Sequence, residues 1–390
     1  MLNHQLHNDL LLKFREQYHR EPTVVAYAPG RIEVLGNHTD YNEGFVLSAA
    51  INFGTFFACA PRTDATCRLA AGNLTQEVWF EMGMLEPSRE HGWSNYVKGV
   101  LAGLGTRHPL SHGFDGLFLG NVPLGSGLSS SAALEMCAGL AMEKLYAITV
   151  DSLSLARIGQ SAEHQYAGVK CGLLDQISSL FGKTGTLVET DFRTLAVKHV
   201  PMGRDAGLLM FNTHAKHALV DGEYNQRRAA CEEATAYFAK VLPHPVKALR
   251  DVSWQEWDAH RAGLPDVVAR RAAHPIGENE RVRKGARLLA QNDLAGFGQL
   301  MYESHESSRT LFENSCPELD AIVAAARQLP GVLGARLSGG GFGGSVVALV
   351  HPREAEGIGA SLAATYQSTF GKPCDTCVLT PSDGARLVAG

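Results

Sequence analysis

The twelve residues Pro123-Leu-Gly-Ser-Gly-Leu-Ser-Ser-Ser-Ala-Ala-Leu134 constrain this chain more than any other stretch. They follow a short apolar strand, Gly116 to Leu119, and open a segment, Ser129 to Tyr146, whose apolar residues recur at helical spacing. A strand that turns through glycine and serine into a helix is well suited to hold phosphate. Gly125 and Gly127 let the backbone approach an anion, the helix start presents unpaired N–H groups, and Ser129, Ser130 and Ser131 add hydroxyls for phosphate or Mg²⁺. The Gly-Lys-Ser/Thr ending of a Walker A loop is absent. A glycine turn with serine capping would account for the same residues without a ligand.

Two further stretches narrow the choice. Ala28-Pro-Gly-Arg-Ile-Glu-Val-Leu-Gly-Asn-His-Thr-Asp-Tyr-Asn-Glu-Gly44 reads as a polar loop between apolar strands at Val24 to Ala28 and Val46 to Ala60. Arg31, Glu33, Asn37, His38, Asp40 and Asn42 crowd into it, a density of directional groups that suits a polyhydroxylated ligand; a plain surface hairpin is the alternative. Leu337-Ser-Gly-Gly-Gly-Phe-Gly-Gly-Ser345 sets five glycines between apolar strands, Val332 to Leu337 and Ser345 to Val350. That implies unusual backbone angles or close approach of a ligand, since a flexible linker rarely has strands directly on both sides.

At 390 residues the chain has room for two domains of about 150 residues or one bilobed unit, and 45% hydrophobic with 19% charged residues is globular composition. Cys67 to Phe80 reads as strand, Trp93 to Leu104 as helix, and Asp151 as the N-cap of a helix reaching Tyr166. Beyond a strand at Gly207 to Phe211, helical stretches from Asp221 to Ala325 precede the last strands. The pattern is α+β in two lobes, with a boundary in the polar turn at 201–206, giving domains 1–204 and 205–390, the last strand a candidate for sharing with the first lobe; Pro243 to Pro245 is a second break. The segment Met1 to Arg20 reads as an amphipathic helix without a signal pattern, and no run of about 18 apolar residues occurs, so a cytoplasmic chain without membrane attachment is expected. Lysine plus arginine is 35 against 40 aspartate plus glutamate, net −5, with no basic run, which argues against nucleic acid. Eight scattered cysteines suit a reduced chain, and the lone C-x-x-C at Cys374 and Cys377 lacks the further ligands of a zinc site.

The three loops, in this order, resemble the GHMP small-molecule kinase superfamily, and the 28–44 stretch resembles the galactokinase signature within it. The likeness extends to Ala162-Glu-His-Gln-Tyr-Ala-Gly-Val-Lys-Cys-Gly-Leu-Leu-Asp-Gln176, Glu223-Tyr-Asn-Gln-Arg-Arg228, Met301-Tyr-Glu-Ser-His305 and Ser315-Cys-Pro-Glu-Leu-Asp320. It implies a two-lobed GHMP kinase fold, mixed sheets flanked by helices with the active site between the lobes, and ATP-dependent phosphorylation of the C1 hydroxyl of galactose. The substrates implied are a sugar and ATP, with Mg²⁺; a monomer or weak dimer is expected.

Position for position, the resemblance makes Asp175 the catalytic aspartate and Arg31 its partner. It places Asn37, His38, Asp40, Gly172, Tyr224 and Glu33 at the sugar. ATP falls to Gly125, Ser126, Gly127, Leu128, Ser129, Ser130, Ser131, Gly340 and Gly341, and the metal to Ser131 and Glu163. One departure stands out. The family pattern has asparagine where this chain has Glu33 and the sugar-binding glutamate where it has Asn37. Either the exchange is compensated and galactose still fits, or the pocket takes a sugar altered at C6, such as galacturonate, or another such as N-acetylgalactosamine. A sensor that binds sugar and ATP without catalysis is the reading from a different class.

Overall fold

The computed structural model describes residues 4–123, 125–216 and 220–388. Helix α1 (His4–Tyr18) buries Leu10, Phe14 and Tyr18, one turn apart. It is followed by strands β1 (Val24–Leu35) and β2 (Phe45–Pro61), a hairpin of β3 (Thr66–Ala71) and β4 (Gln76–Glu81), helix α2 (Ser94–Gly105) and strand β5 (Phe114–Gly120). Three helices come next, α3 (Ser130–Leu145), α4 (Ser152–Ala162) and α5 (Leu174–Phe181), then strands β6 (Thr186–Asp191) and β7 (Ala196–Pro201). The second half runs β8 (Gly207–Lys216), α6 (Val220–Val241), α7 (Trp254–His260), α8 (Asp266–Ala290), α9 (Leu294–Ser307), α10 (Pro317–Ala326), β9 (Val332–Ser338), β10 (Gly343–Val350), α11 (Ala355–Phe370), β11 (Asp375–Leu379) and β12 (Arg386–Val388).

Among the described residues the strands form two sheets. The larger has the order β12-β1-β2-β5-β3-β4, with β6 and β7 branching from β2; the smaller is β11-β8-β10-β9. Only β3 and β5 pair in parallel. The architecture is α+β, as the sequence implies. The last strand returns to the first, Val388 facing Val25.

Side chains alternate across a strand, and β1 uses both faces. Ala26 and Ala28 pack with Val97 and Leu101 of α2 and Met136 and Cys137 of α3, whereas Val25 and Tyr27 pack with Leu10 and Phe14 of α1. Its far end enters a third cluster, where Ile32, Val34 and Leu35 meet Met210 of β8, Val282 of α8, Phe297 of α9 and Val347 of β10. One strand therefore ties the two halves together.

Three sequence expectations change. The stretch read as a loop from Ala28 is strand through Leu35, buried throughout; charged residues are rare in buried strands, but Arg31 and Glu33 are tolerated here because each has an ionic partner. Cys67 to Phe80 is two strands around a turn rather than one. The helix begun by Asp151, whose side chain accepts from Ser154 N–H, is α-helical only to Ala162 and then widens into a π-turn over Glu163–Ala167.

Candidate active site

Arg31 and Asp175 lie 144 residues apart in sequence and meet where the second half of β1 passes the first turn of α5. Nε and Nη2 of Arg31 approach Asp175 Oδ1 at 2.7 and 2.6 Å, and the hydroxyl of Ser129 donates to Asp175 Oδ2. Asp175 is not a helix cap: it is the second residue of α5 and makes no capping bond. Its carboxylate is instead held by a buried guanidinium on one side and the serine loop on the other. Ser129 itself sits at φ +55°, a left-handed conformation costly for a side-chain-bearing residue; it caps nothing, and its hydroxyl is spent on Asp175.

This pair borders a cavity of about 530 Å³ whose wall includes Arg31, Glu33, Asn37, His38, Asp40, Gly172, Asp175, Tyr224 and Gly340. All six residues expected at a sugar are thus brought together. His38 has the Gly340 carbonyl 3.0 Å from Nε2, and since a carbonyl can only accept, Nε2 carries a proton; in the neutral ring Nδ1 then accepts from the Tyr41 hydroxyl at 2.8 Å. Burial pushes its pKa down to about 4. Burial, then the charge of Glu33, pushes the Asp40 carboxyl up to about 6. Gly172 makes room for that carboxylate, since a Cβ there would lie 1.8 Å from Asp40 Oδ2.

Glu33 and Asn37 touch. Asn37 Nδ2 donates to Glu33 Oε1 at 3.0 Å and to the Gly339 carbonyl at 2.7 Å, while Asn314 Nδ2 donates to Asn37 Oδ1 at 3.0 Å. Glu33 Oε1 also accepts from the fully buried Arg336 at 2.9 Å. Sequence reasoning missed Arg336 and Asn314. The signal for Arg336 was present: it is the one charged residue in the apolar strand Val332–Ser338.

The serine loop lies on the other side of Asp175. Gly125 and Gly127 adopt φ of +70° and +72°, and a Cβ on either would meet nothing within 4 Å, leaving the backbone open to a ligand. Ser126 and Leu128 are buried and act through their backbones: the Leu128 carbonyl accepts from Arg31 N–H at 3.0 Å, and the Ser126 carbonyl accepts from Ser345 Oγ at 2.6 Å, joining the third loop to the second. Ser131 Oγ donates to Glu163 Oε1 at 3.0 Å, and burial, then the charge of Asp175, pushes the Glu163 carboxyl up. Ser130 and Ser131 also border a second cavity of about 240 Å³, lined by Trp93, Tyr96, Phe118 and Leu134. These aromatics were read only as helix and strand residues. Gly340, expected at ATP, instead borders the polar cavity with its carbonyl at His38 and Asn314, and Gly341, also expected at ATP, packs on the Asn314 carbonyl.

Comparison with known proteins agrees with the resemblance read from the three loops. Residues 12–61 match the galactokinase galactose-binding signature, 95–183 the GHMP kinases N terminal domain and 286–368 the GHMP kinases C terminal. The galactokinase of Haemophilus influenzae (strain ATCC 51907 / DSM 11121 / KW20 / Rd) is 39% identical over 380 residues, covering 96% of this chain and 97% of that protein. That of Mannheimia succiniciproducens is 40% identical over 380 residues, with 96% and 97% covered. The crystal structure of Lactococcus lactis galactokinase complexed with galactose superposes with a TM-score of 0.92 at 33% identity, covering 97% of this chain and 99% of that one. Methanococcus jannaschii mevalonate kinase, at 16% identity, TM-score 0.65 and coverage of 92% and 98%, shares the fold.

Proposed function

The chain belongs to the galactokinases of the GHMP kinase superfamily, and we propose that it transfers the γ-phosphoryl group of ATP to the C1 hydroxyl of galactose. The observation that carries this reading is the position of Asp175: it borders the polar cavity on one side and is bonded to Ser129 of the phosphate-type loop on the other.

In this reading Asp175 orients the C1 hydroxyl and accepts its proton as the oxygen attacks the γ-phosphorus. The bond from that phosphorus to the bridging oxygen breaks, and ADP leaves with the electron pair. Arg31 pairs with the Asp175 carboxylate and stabilises charge on the moving phosphoryl group. Positioning dominates such transfers, because the transition state is loose. Asp40 accepts from sugar hydroxyls, while His38 and Tyr224 shape the wall. The N–H groups at the start of α3, with Gly125 and Gly127, hold the phosphates, and the aromatic cavity beside Ser130 takes the purine. Gly340 and Gly341 close the third loop over the site. The two lobes are residues 1–204 and 205–390, with β12 given back to the first sheet.

Ser131 and Glu163 fit a magnesium ion: one hydroxyl and one carboxylate, both hard oxygen donors, face each other beside the phosphate loop, and Mg²⁺ commonly takes one or two carboxylates plus phosphate oxygens and waters. When bound, the ion offsets the negative charge of the phosphates.

The Glu33 and Asn37 exchange reads as compensated. The carboxylate has moved from the loop to the strand, yet it contacts the Asn37 amide at 3.0 Å and lines the same cavity. The patch therefore still presents an acceptor to a C6 hydroxyl, and its charge disfavours a C6 carboxylate. The test is ADP release with Mg-ATP over galactose, glucose, galacturonate, N-acetylgalactosamine and mannose. Turnover on galactose at least tenfold above the others supports the reading; preference for galacturonate, or no turnover on any sugar, overturns it.

A further inference from the structure

The loop that carries Asn37, His38 and Asp40 is held from outside. Helix α8 passes against both its ends. Glu278, fully buried, accepts on Oε2 from the N–H groups of Gly36 at 3.0 Å and Asn37 at 2.9 Å, 242 and 241 positions away in sequence. Its neighbour Asn279 accepts on Oδ1 from the N–H of Phe45 at 2.9 Å, where the loop ends. Each holder is itself held. Ser304 of α9 donates to Glu278 Oε2 at 3.0 Å, Arg281 pairs with Oε1, and Asn279 Nδ2 donates to the Pro275 carbonyl at 2.9 Å.

A fully buried carboxylate is destabilising unless it is paired and hydrogen-bonded. Burial raises its pKa, but the surrounding groups, the charge of Arg281 foremost, together outweigh burial and hold it at about 2. Two backbone N–H groups converging on one ionised oxygen make stronger and more directional bonds than neutral ones would. Neither Glu278 nor Asn279 borders the cavity, and both lie outside the three matched segments. Their polar atoms are spent on the two ends of one loop.

We infer that Glu278 and Asn279 are positioning residues for the sugar: together they fix residues 36–45 so that Asn37, His38 and Asp40 face the substrate. This rests on the galactose reading of the cavity. The nucleotide side, from Ser129 to Ser131 with Glu163, is reached through different elements. Loosening the clamp therefore weakens the sugar in ground state and transition state alike, which raises its KM with kcat unchanged.

The experiment measures kcat and both KM values for the full-length wild type, Asn279→Ala and Glu278→Gln, together with amide hydrogen exchange at Gly36, Asn37 and Phe45. Loss of one neutral bond should raise the galactose KM about fivefold in Asn279→Ala, and loss of the charged acceptor should raise it tenfold or more in Glu278→Gln. The ATP KM and kcat should stay within about twofold, and exchange at Phe45 should quicken at least tenfold in Asn279→Ala. Should Glu278→Gln not fold, because Arg281 loses its partner, the uncharged Asn279→Ala decides. An unchanged galactose KM in folded Asn279→Ala, or both KM values rising in step, overturns the clamp. If the wild type does not turn over galactose, the substrate reading fails, and the clamp then stands or falls on whether Phe45 exchange quickens.

Discussion

Asp40 shows a site residue working against the stability of its own fold. Its carboxyl is pushed up to about 6 by burial, then by the charge of Glu33. In the unfolded chain the carboxyl titrates near 3.9. Above pH 6 both states are ionised and the folded one bears the burial cost; below the unfolded value both are neutral and the cost is gone. Asp40→Asn should therefore raise the melting temperature at pH 8 by about 2 °C or more while removing sugar binding, which calorimetry checks in a single preparation. On the proposed role the ionised form accepts the sugar hydroxyls, so kcat/KM for galactose should fall about tenfold per pH unit below pH 6 and level off above it. A profile flat from pH 5 to 7 would contradict this role. At this scale the sequence was informative about identity and less so about conformation. Arg31 and Glu33 were legible as site residues, but their charge made a buried strand read as a loop. What made burial tolerable, Asp175 for one and Arg336 for the other, lies 144 and 303 residues away.

At the scale of elements, the site is built from ends rather than middles: the end of β1, the first turn of α5, the start of α3, and the π-turn that follows α4. The strand–serine loop–helix unit was legible because its signal is local. The π-turn at Glu163–Ala167, closed by Gly168 in the left-handed region, was not, since its sequence continues the helical pattern; such turns recur at functional sites. Two substitutions separate the elements. Ser131→Ala removes the hydroxyl facing Glu163, and the Mg²⁺ concentration for half-maximal rate should rise about tenfold, with the galactose KM unmoved. Gly172→Ala places a methyl group 1.8 Å from the Asp40 oxygen; the galactose KM should rise more than about tenfold, while the Mg²⁺ requirement stays as in the wild type. Titrations of rate against each ligand check both, and a reversal of the two effects would mean the elements have been assigned to the wrong substrates.

Across the whole molecule, Asp175 stands between the polar cavity and the serine loop, and β1 is shared by the two halves of the chain. Its first half packs among the helices of the first 200 residues, and its second half packs among β8, α8, α9 and β10. That arrangement brings the loop of β1–β2, the serine loop and the glycine loop of β9–β10 to one place. The α+β class and part of the order of elements could be read from period and punctuation, whereas α5, β6, β7 and α11 were not. The sequence offered the sharing of the last strand with the first lobe but not its register on β1, and gave no sign of the reach of α8 to the loop at residues 36–45, because contacts separated by hundreds of residues leave no local pattern. The central claim is that this convergence delivers the phosphoryl group to one hydroxyl of galactose, with Asp175 taking the proton. The most direct measurement is phosphorus NMR of the product formed from galactose and Mg-ATP, run beside Asp175→Asn. The expected result is a single phosphomonoester signal coupled to the anomeric proton, formed about a thousandfold more slowly by the variant. A signal coupled to the C6 protons, or equal rates for the two proteins, would contradict the mechanism.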